Sequence, residues 1–464
     1  MTQPNSVQRR DFIKMAAAGA AGLGVLSQTA KSYAAAKGAN DKIRLGAVGC
    51  GGQGRSLIGT FADSAADWNC EVTAVCDVYD KRKDQAKERA GGNATIYHHY
   101  GDLLAHDGLD GVIIATPDHW HAKICLDALE KGLHVYCEKP FTHTPHEALA
   151  VHKKVQQTGL KLQVGSQHTS DGAYYAAKKA IEEGVIGKPL WTETGYSRNN
   201  PNGEWNWTID EDAKPGVNLD WDLWLGYAPK ISWDPDRFFR FRKYYDYSGG
   251  IATDLFYHKL APFMIAFGDE MPLRACAGGG KFIFKDDREV PDTSFNVIDY
   301  PSGHSIILHS SMCNSKGTPD RIHGQKANMD LIDEGRIRIT AEEKFADEFK
   351  DAHDGKTEII LEGKPNGDNH RQNFLEAIRG NQELNLDSKR GYATQVAISL
   401  GVYALRQGKT VAWDEYKGVV TAGPDDTHGA VAGVFPPAYL KKSDWQTVPG
   451  FDADRSGSEP IRSS

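Results

Sequence analysis

Ile43-Arg44-Leu45-Gly46-Ala47-Val48-Gly49-Cys50-Gly51-Gly52-Gln53-Gly54 is the stretch on which the fold turns. An apolar run of strand character breaks into a glycine-rich loop, and a helix-like segment follows to about Ala65. Glycine serves where a strand turns sharply into a helix and the backbone must come close to another group. A second strand, Glu71–Val75, ends at Cys76-Asp77, which puts an acid 23 residues beyond Gly54. Strand, loop, helix and acid together predict a dinucleotide site. The free N–H groups of the helix N-terminus would meet a pyrophosphate, and Asp77 would accept hydrogen bonds from a ribose diol. A diol acceptor favours NAD, while Lys81 and Arg82 just behind it keep NADP as the alternative. The candidate cofactor residues of this stretch are Gly49, Gly51, Gly52, Gln53, Gly54 and Asp77.

Outward from the loop, strand-like and helix-like segments alternate, the pattern of a parallel sheet with helices on both faces. Asp80–Ala90 reads as a helix, Gly111–Ala115 as a buried strand, Ala122–Lys131 as a helix and His134–Cys137 as a strand. A helix at Glu147–Gln157 leads to the strand Leu162–Gly165. Six strands with helical crossovers fit an N-terminal Rossmann unit, doubly wound, over residues 41–168. After one more helix, Tyr174–Glu183, the runs Leu190–Tyr196, Phe282–Phe284, Ser294–Tyr300 and Ser305–Ser311 read as a large, mostly antiparallel sheet. With amphipathic helices at Asn373–Arg379 and Ala393–Arg406, residues 169–414 form a C-terminal α+β domain. Residues 415–464 read as an extended tail.

Before the fold, Arg9-Arg10-Asp11-Phe12-Ile13-Lys14 precedes an Ala/Gly-rich apolar run, Met15 to Leu26, and then Ala34-Ala35-Ala36. This resembles a twin-arginine export signal with its cleavage site over residues 1–36, which implies an exported or periplasmic protein that meets the export machinery. The apolar run is too short to span a membrane, so no stable insertion is expected. Over all 464 residues, 54 Lys+Arg against 62 Asp+Glu give a net −8. Without the leader's four basic residues and one acid, 50 stand against 61, a net −11. With no basic run, nucleic acid is excluded as the partner. The seven cysteines are scattered and form no CxxC pair, which argues against a disulfide framework or a structural zinc site.

Thr116-Pro117-Asp118-His119-Trp120-His121 follows the fourth strand and Cys137-Glu138-Lys139-Pro140 the fifth, both at strand ends where open α/β sheets bind ligands. Here the sequence resembles the glucose–fructose oxidoreductase, inositol dehydrogenase and rhizopine catabolism family (Gfo/Idh/MocA), over roughly Lys42 to Asp414. Its E-K-P signature matches Glu138-Lys139-Pro140. Its T-P-N-x-x-H stretch matches residues 116–121, with Asp118 in place of Asn. The resemblance implies that Lys139 reaches both cofactor and substrate hydroxyl, and that Thr116, Pro117, His121, Glu138 and Gln167 join the cofactor set. His119 and His121 lack the further ligands of a zinc site, so no metal is expected. The family's D-x-x-x-H pair matches Asp254 and His258, four apart and on one face of a helix. An imidazole with an ordinary pKa near 6.5 can take a hydroxyl proton while a carboxylate orients it. The catalytic set is therefore Lys139, Asp254 and His258.

Between these motifs lies Trp205 to Tyr247, with half of the ten tryptophans: Trp205, Trp207, Trp221, Trp224 and Trp233. Sugar platforms and plain packing both remain open for them. Arg198, Asn199, Arg237, Arg240 and Arg242 are candidates for lining a cleft or anchoring a loop. The expected activity is oxidation of a sugar, glycoside or polyol CH–OH group with NAD tightly bound, in a homo-oligomer. The rival is a redox-neutral glycosidase or lyase working through transient oxidation of a sugar carbon. A non-catalytic sugar-binding protein on the same fold is a third reading.

Overall fold

Ile43–Val48 (β1) is the centre of the first sheet, pairing in parallel with Cys70–Cys76 (β2) on one side and Gly111–Ile114 (β4) on the other. With Thr95–Tyr97 (β3), His134–Glu138 (β5) and Leu162–Gly165 (β6) the order is β3-β2-β1-β4-β5-β6, all parallel. The computed structural model describes residues 42–414 except Glu334 and Asp368, together with the backbone of 419–421. The leader at 1–36 and nearly all of the tail lie outside the described residues.

The helices Gly52–Asp63 (α1), Asp80–Arg89 (α2), Tyr100–Leu104 (α3), Asp118–Glu130 (α4) and Pro145–Thr158 (α5) connect these strands. Every residue of β4 is buried, as expected for a strand covered on both faces. The strand order reverses between β1 and β4, which opens a crevice at their carboxyl ends. Helix α4 starts four residues before the expected Ala122, because Pro117 at its N-cap leaves Asp118 free to enter the first turn.

Gly172–Glu182 (α6) leads into the second unit. Its ten strands run β14-β13-β12-β11-β7-β10-β9-β8-β15-β16, all antiparallel except the β7–β10 pair. These are Pro189–Gly195 (β7), Arg274–Gly280 (β8), Thr293–Tyr300 (β9), His304–Ser311 (β10), Arg321–Gly324 (β11), Ala327–Leu331 (β12), Arg336–Ala341 (β13), Glu358–Glu362 (β14), Val411–Asp414 (β15) and Val419–Thr421 (β16). Burial alternates along β9 and β10, since helices cover one face only. Trp221–Leu225 (α7), Pro235–Phe239 (α8), Ile251–Asp254 (α9) and Phe256–Phe267 (α10) lie between β7 and β8.

One expected strand is absent. Phe282–Phe284 is a turn whose three successive N–H groups donate to Asp292 Oδ2 at 2.9, 2.8 and 3.0 Å, which curls the backbone out of any ladder. Conversely, β8 was hidden by its composition: Ala275-Cys276-Ala277-Gly278-Gly279-Gly280 has no β-branched residue, and only pairing with β9 and β15 makes it a strand.

Candidate active site

The glycine loop joins β1 to α1. Gly49 has φ +87°, and a Cβ there would stand 2.6 Å from the Ala115 carbonyl; a Cβ on Gly54 would meet the Gly49 oxygen at 1.9 Å. Both glycines let helix and strand ends close on each other. Gly51 and Gly52 face open space instead, so a side chain there would fill the cradle. No side chain caps α1, which leaves its N-terminal N–H groups for a ligand. Asp77 is 7% exposed; its Oδ2 accepts from the Cys50 N–H at 2.7 Å and its Oδ1 from the Tyr79 N–H at 3.0 Å. Lys81 is engaged elsewhere, at 2.7 Å from Asp210 and 3.3 Å from Asp212, and the Arg82 guanidinium lies 4.6 Å above the Phe238 ring.

A cavity of about 670 Å³ runs along the crevice. Of the expected cofactor residues, Gly49, Gly51, Gly52, Gln53, Asp77, Thr116, Pro117, Glu138, Lys139 and Gln167 line it. Gly54 and His121 stand behind its wall. The His121 ring sits between the two strand-end loops, its nitrogens 2.8 Å from the Pro140 carbonyl and 3.0 Å from that of Thr116, and as a neutral imidazole it donates to one of them. The Thr116 Oγ1 is buried without a partner, and Gln53 donates to Glu138 Oε1 at 2.8 Å. Open glycine cradle, uncapped helix, buried acid and orphaned hydroxyl together suit a dinucleotide.

In the same cavity Lys139 Nζ donates to Asp254 Oδ1 at 2.7 Å, and Arg242 Nε donates to the same oxygen at 2.8 Å. Burial would raise the Asp254 carboxyl, but these two cations hold it well below the ordinary carboxylate range. Burial, with the Lys139 charge adding to it, pushes the His258 imidazole well below its usual value, so it is neutral at pH 7. Its Nδ1 meets Ser166 Oγ at 3.1 Å rather than Asp254. The expected Asp–His contact is absent because α9 ends at Asp254 and Leu255 separates it from α10, while Lys139 and Arg242 occupy the carboxylate. In the tautomer that donates Nδ1–H to Ser166 Oγ, Nε2 is the basic nitrogen.

Sequence reasoning singled out Arg242 only among other arginines, and missed Ser166 altogether. The signal for Ser166 was its place directly after β6, at the same carboxyl edge as Lys139. Arg237 and Arg240 anchor the loop instead, through Asp246 and Asp236. Trp205, Trp207 and Trp224 line the cavity, whereas Trp221 and Trp233 do not and pack in the hydrophobic cluster that Trp224 also joins. His119 is core: its Nε2 meets the Trp224 carbonyl at 3.1 Å, where the Trp120 indole also donates at 2.8 Å. Among the described residues no group of three or more His, Cys, Asp or Glu side chains is arranged to hold a metal, and no helix is long and apolar enough to cross a membrane.

Asp118 is 4% exposed, and burial pushes its carboxyl up to about 7 despite Arg242 and a hydrogen bond with Ser248. Between about pH 4 and that value the folded chain binds a proton the unfolded chain has lost, so stability falls as pH rises through this window. Asp118→Asn is therefore expected to match the wild type near pH 4 and exceed it by about 3 kcal/mol at pH 8, allowing for the favourable α4 N-terminal dipole. Urea unfolding at both pH values checks this; a pH-independent difference refutes it.

Two family models match the chain in tandem: an oxidoreductase family, NAD-binding Rossmann fold over residues 43–166, and an oxidoreductase family, C-terminal alpha/beta domain over 173–318. Inositol 2-dehydrogenase of Rubrobacter xylanophilus is 30% identical over 188 residues, 40% of this chain and 49% of that protein. The scyllo-inositol 2-dehydrogenase (NAD(+)) of Bacillus subtilis is 39% identical over 98 residues, 21% of this chain and 28% of that protein. The match thus spans about half the length, or less, of these curated relatives. Among solved structures, the WlbA dehydrogenase of Bordetella pertussis in complex with NADH and UDP-GlcNAcA superposes with TM-score 0.59 at 18% identity, covering 80% of this chain and 99% of that one. Levoglucosan dehydrogenase in complex with NADH and levoglucosan gives 0.60 at 18% identity, covering 80% and 99%. With both domain models matched in order and the glycine loop, E-K-P and D-x-x-x-H residues gathered on one cavity, the chain belongs to the Gfo/Idh/MocA oxidoreductase family, and its N-terminal unit is an NAD-binding Rossmann domain.

Proposed function

We propose that the protein is an NAD-dependent oxidoreductase acting on a CH–OH group of a sugar, glycoside or polyol. The observation that carries this reading is convergence: Lys139, Asp254 and His258 line the same cavity as the glycine loop and Asp77. When bound, NAD supplies the hydride acceptor. His258, neutral and braced by Ser166, takes the hydroxyl proton. Lys139 donates to the same oxygen and favours its anionic form, and Asp254, gripped by Arg242, fixes where the ammonium sits. The buried Asp77 charge and the engagement of Lys81 by two aspartates disfavour a 2′-phosphate, which supports NAD over NADP. The names of the inositol and levoglucosan dehydrogenases support a polyhydroxylated substrate.

The Arg9-Arg10 leader supports export, and an exported enzyme needs a cofactor that stays bound. Trp191, Phe295 and Ile307, exposed on the uncovered face of the large sheet, support a homo-oligomer. The test is to recover the protein from the periplasmic fraction and assay sugars, polyols and aryl glycosides with and without added NAD. NADH formed or consumed with a polyhydroxylated substrate is the expected result. Glycoside cleavage with no net NADH would overturn it in favour of redox-neutral chemistry.

A further inference from the structure

Residues 205–241 of the second domain cross over to the Rossmann unit and are tied to it at two places. Past the end of β2, Tyr79 and Leu219 form an antiparallel bridge, with the Asp80 N–H donating to Asn218 O at 2.9 Å and the Asp220 N–H to Val78 O at 3.0 Å. The Tyr79 hydroxyl and Lys81 both engage Asp210, and His98 meets Asp220 at 3.2 Å. At the start of α4, His119 and Trp120 hold the Trp224 carbonyl. The contact is apolar as well as polar: Tyr79, 1% exposed, shares a hydrophobic cluster with Leu219, Trp224 and Phe238 of the segment.

Both tied regions border the cavity. Val78 and Arg82 line it beside the first, Asp118 and Trp120 beside the second, and Trp224 and Phe238 line it from the segment itself. Any group seated on the glycine loop and Asp77 thus shares its cavity with aromatic side chains from the other domain. Neither domain alone completes the enclosure.

We propose that residues 205–241 are a clasp that retains the cofactor: bound dinucleotide leaves only when the Tyr79–Leu219 pairing opens. The proposal rests on the cofactor reading above and extends it, since it makes NAD a resident group by a stated physical device. Burial of the segment's own cluster, Lys81's two carboxylate partners and the shared Trp224 carbonyl hold the clasp shut. Opening is a local separation that leaves both sheets intact.

The bridge supplies its own test. Hydrogen bonds flank Tyr79 and Leu219 on both sides, which makes them a non-hydrogen-bonded antiparallel pair with Cα atoms about 4.5 Å apart, within disulfide reach. In Tyr79→Cys with Leu219→Cys, NADH is loaded under reducing conditions and its release followed by fluorescence during a chase with excess NAD. Oxidation is expected to slow release by at least ~10-fold and reduction to restore it, so the protein is its own folding control. As a second arm, Asp210→Asn with Asp212→Asn is expected to speed release about 3-fold, the size of effect that exposed ion pairs give. Equal release from oxidised and reduced protein would overturn the clasp while leaving the cofactor reading intact. Failure of the wild type to bind NADH would overturn both.

Discussion

Replacing His258 by alanine is expected to lower kcat by about 10,000-fold, the upper range for removing a positioned general base. NADH binding should survive, because the pyrophosphate and ribose would be held by the glycine loop and Asp77 rather than by His258. The pH profile adds a second readout. A base acts when unprotonated, and burial with the neighbouring Lys139 charge holds His258 well below its ordinary value. Wild-type kcat/KM should therefore be flat through neutrality and fall only on the acid side of 6.5, the ordinary imidazole value. Unchanged turnover in the alanine variant, measured with a substrate found by the panel assay, would remove His258 from the mechanism.

Lys139→Met is the second large effect: kcat should fall about 1,000-fold, in line with removing a preorganised donor aimed at a developing oxyanion. Methionine keeps the unbranched stem, and Asp254 keeps Arg242 as partner, so the fold should hold. Loss of the ammonium also removes a charge that lowers the His258 pKa, so the acid limb of any residual activity should move to higher pH. A fall in kcat with an unmoved limb would mean that Lys139 does not act next to His258.

The Rossmann unit was legible because its determinants are local. An apolar run, a glycine loop and an acid after the next strand each state their own geometry, and β1, α1 and β2 lie where that pattern put them. The second sheet was legible only where strands carry β-branched or aromatic residues, as in β9 and β10. The glycine-rich β8 depends on its neighbours, and Phe282–Phe284 was misread because Asp292 captures its backbone from across the loop. At the site, Lys139, Asp254 and His258 were marked by their match to family motifs, but their contacts were not. The i, i+4 spacing predicted an Asp254–His258 pair; instead two cations from elsewhere in the chain bind Asp254, and Ser166 braces His258.

What the sequence determined by itself is the class of fold, because turn chemistry and strand periodicity act over a few residues, and, through its family motifs, the candidate reacting groups. Tertiary structure alone decided how those groups are charged and which segments enclose them. A pKa depends on burial and on charges brought from more than a hundred residues away, such as Lys139 beside Asp254. The place of the tryptophan-rich segment depends on where its apolar cluster finds a partner, and that partner, Tyr79, belongs to the other domain.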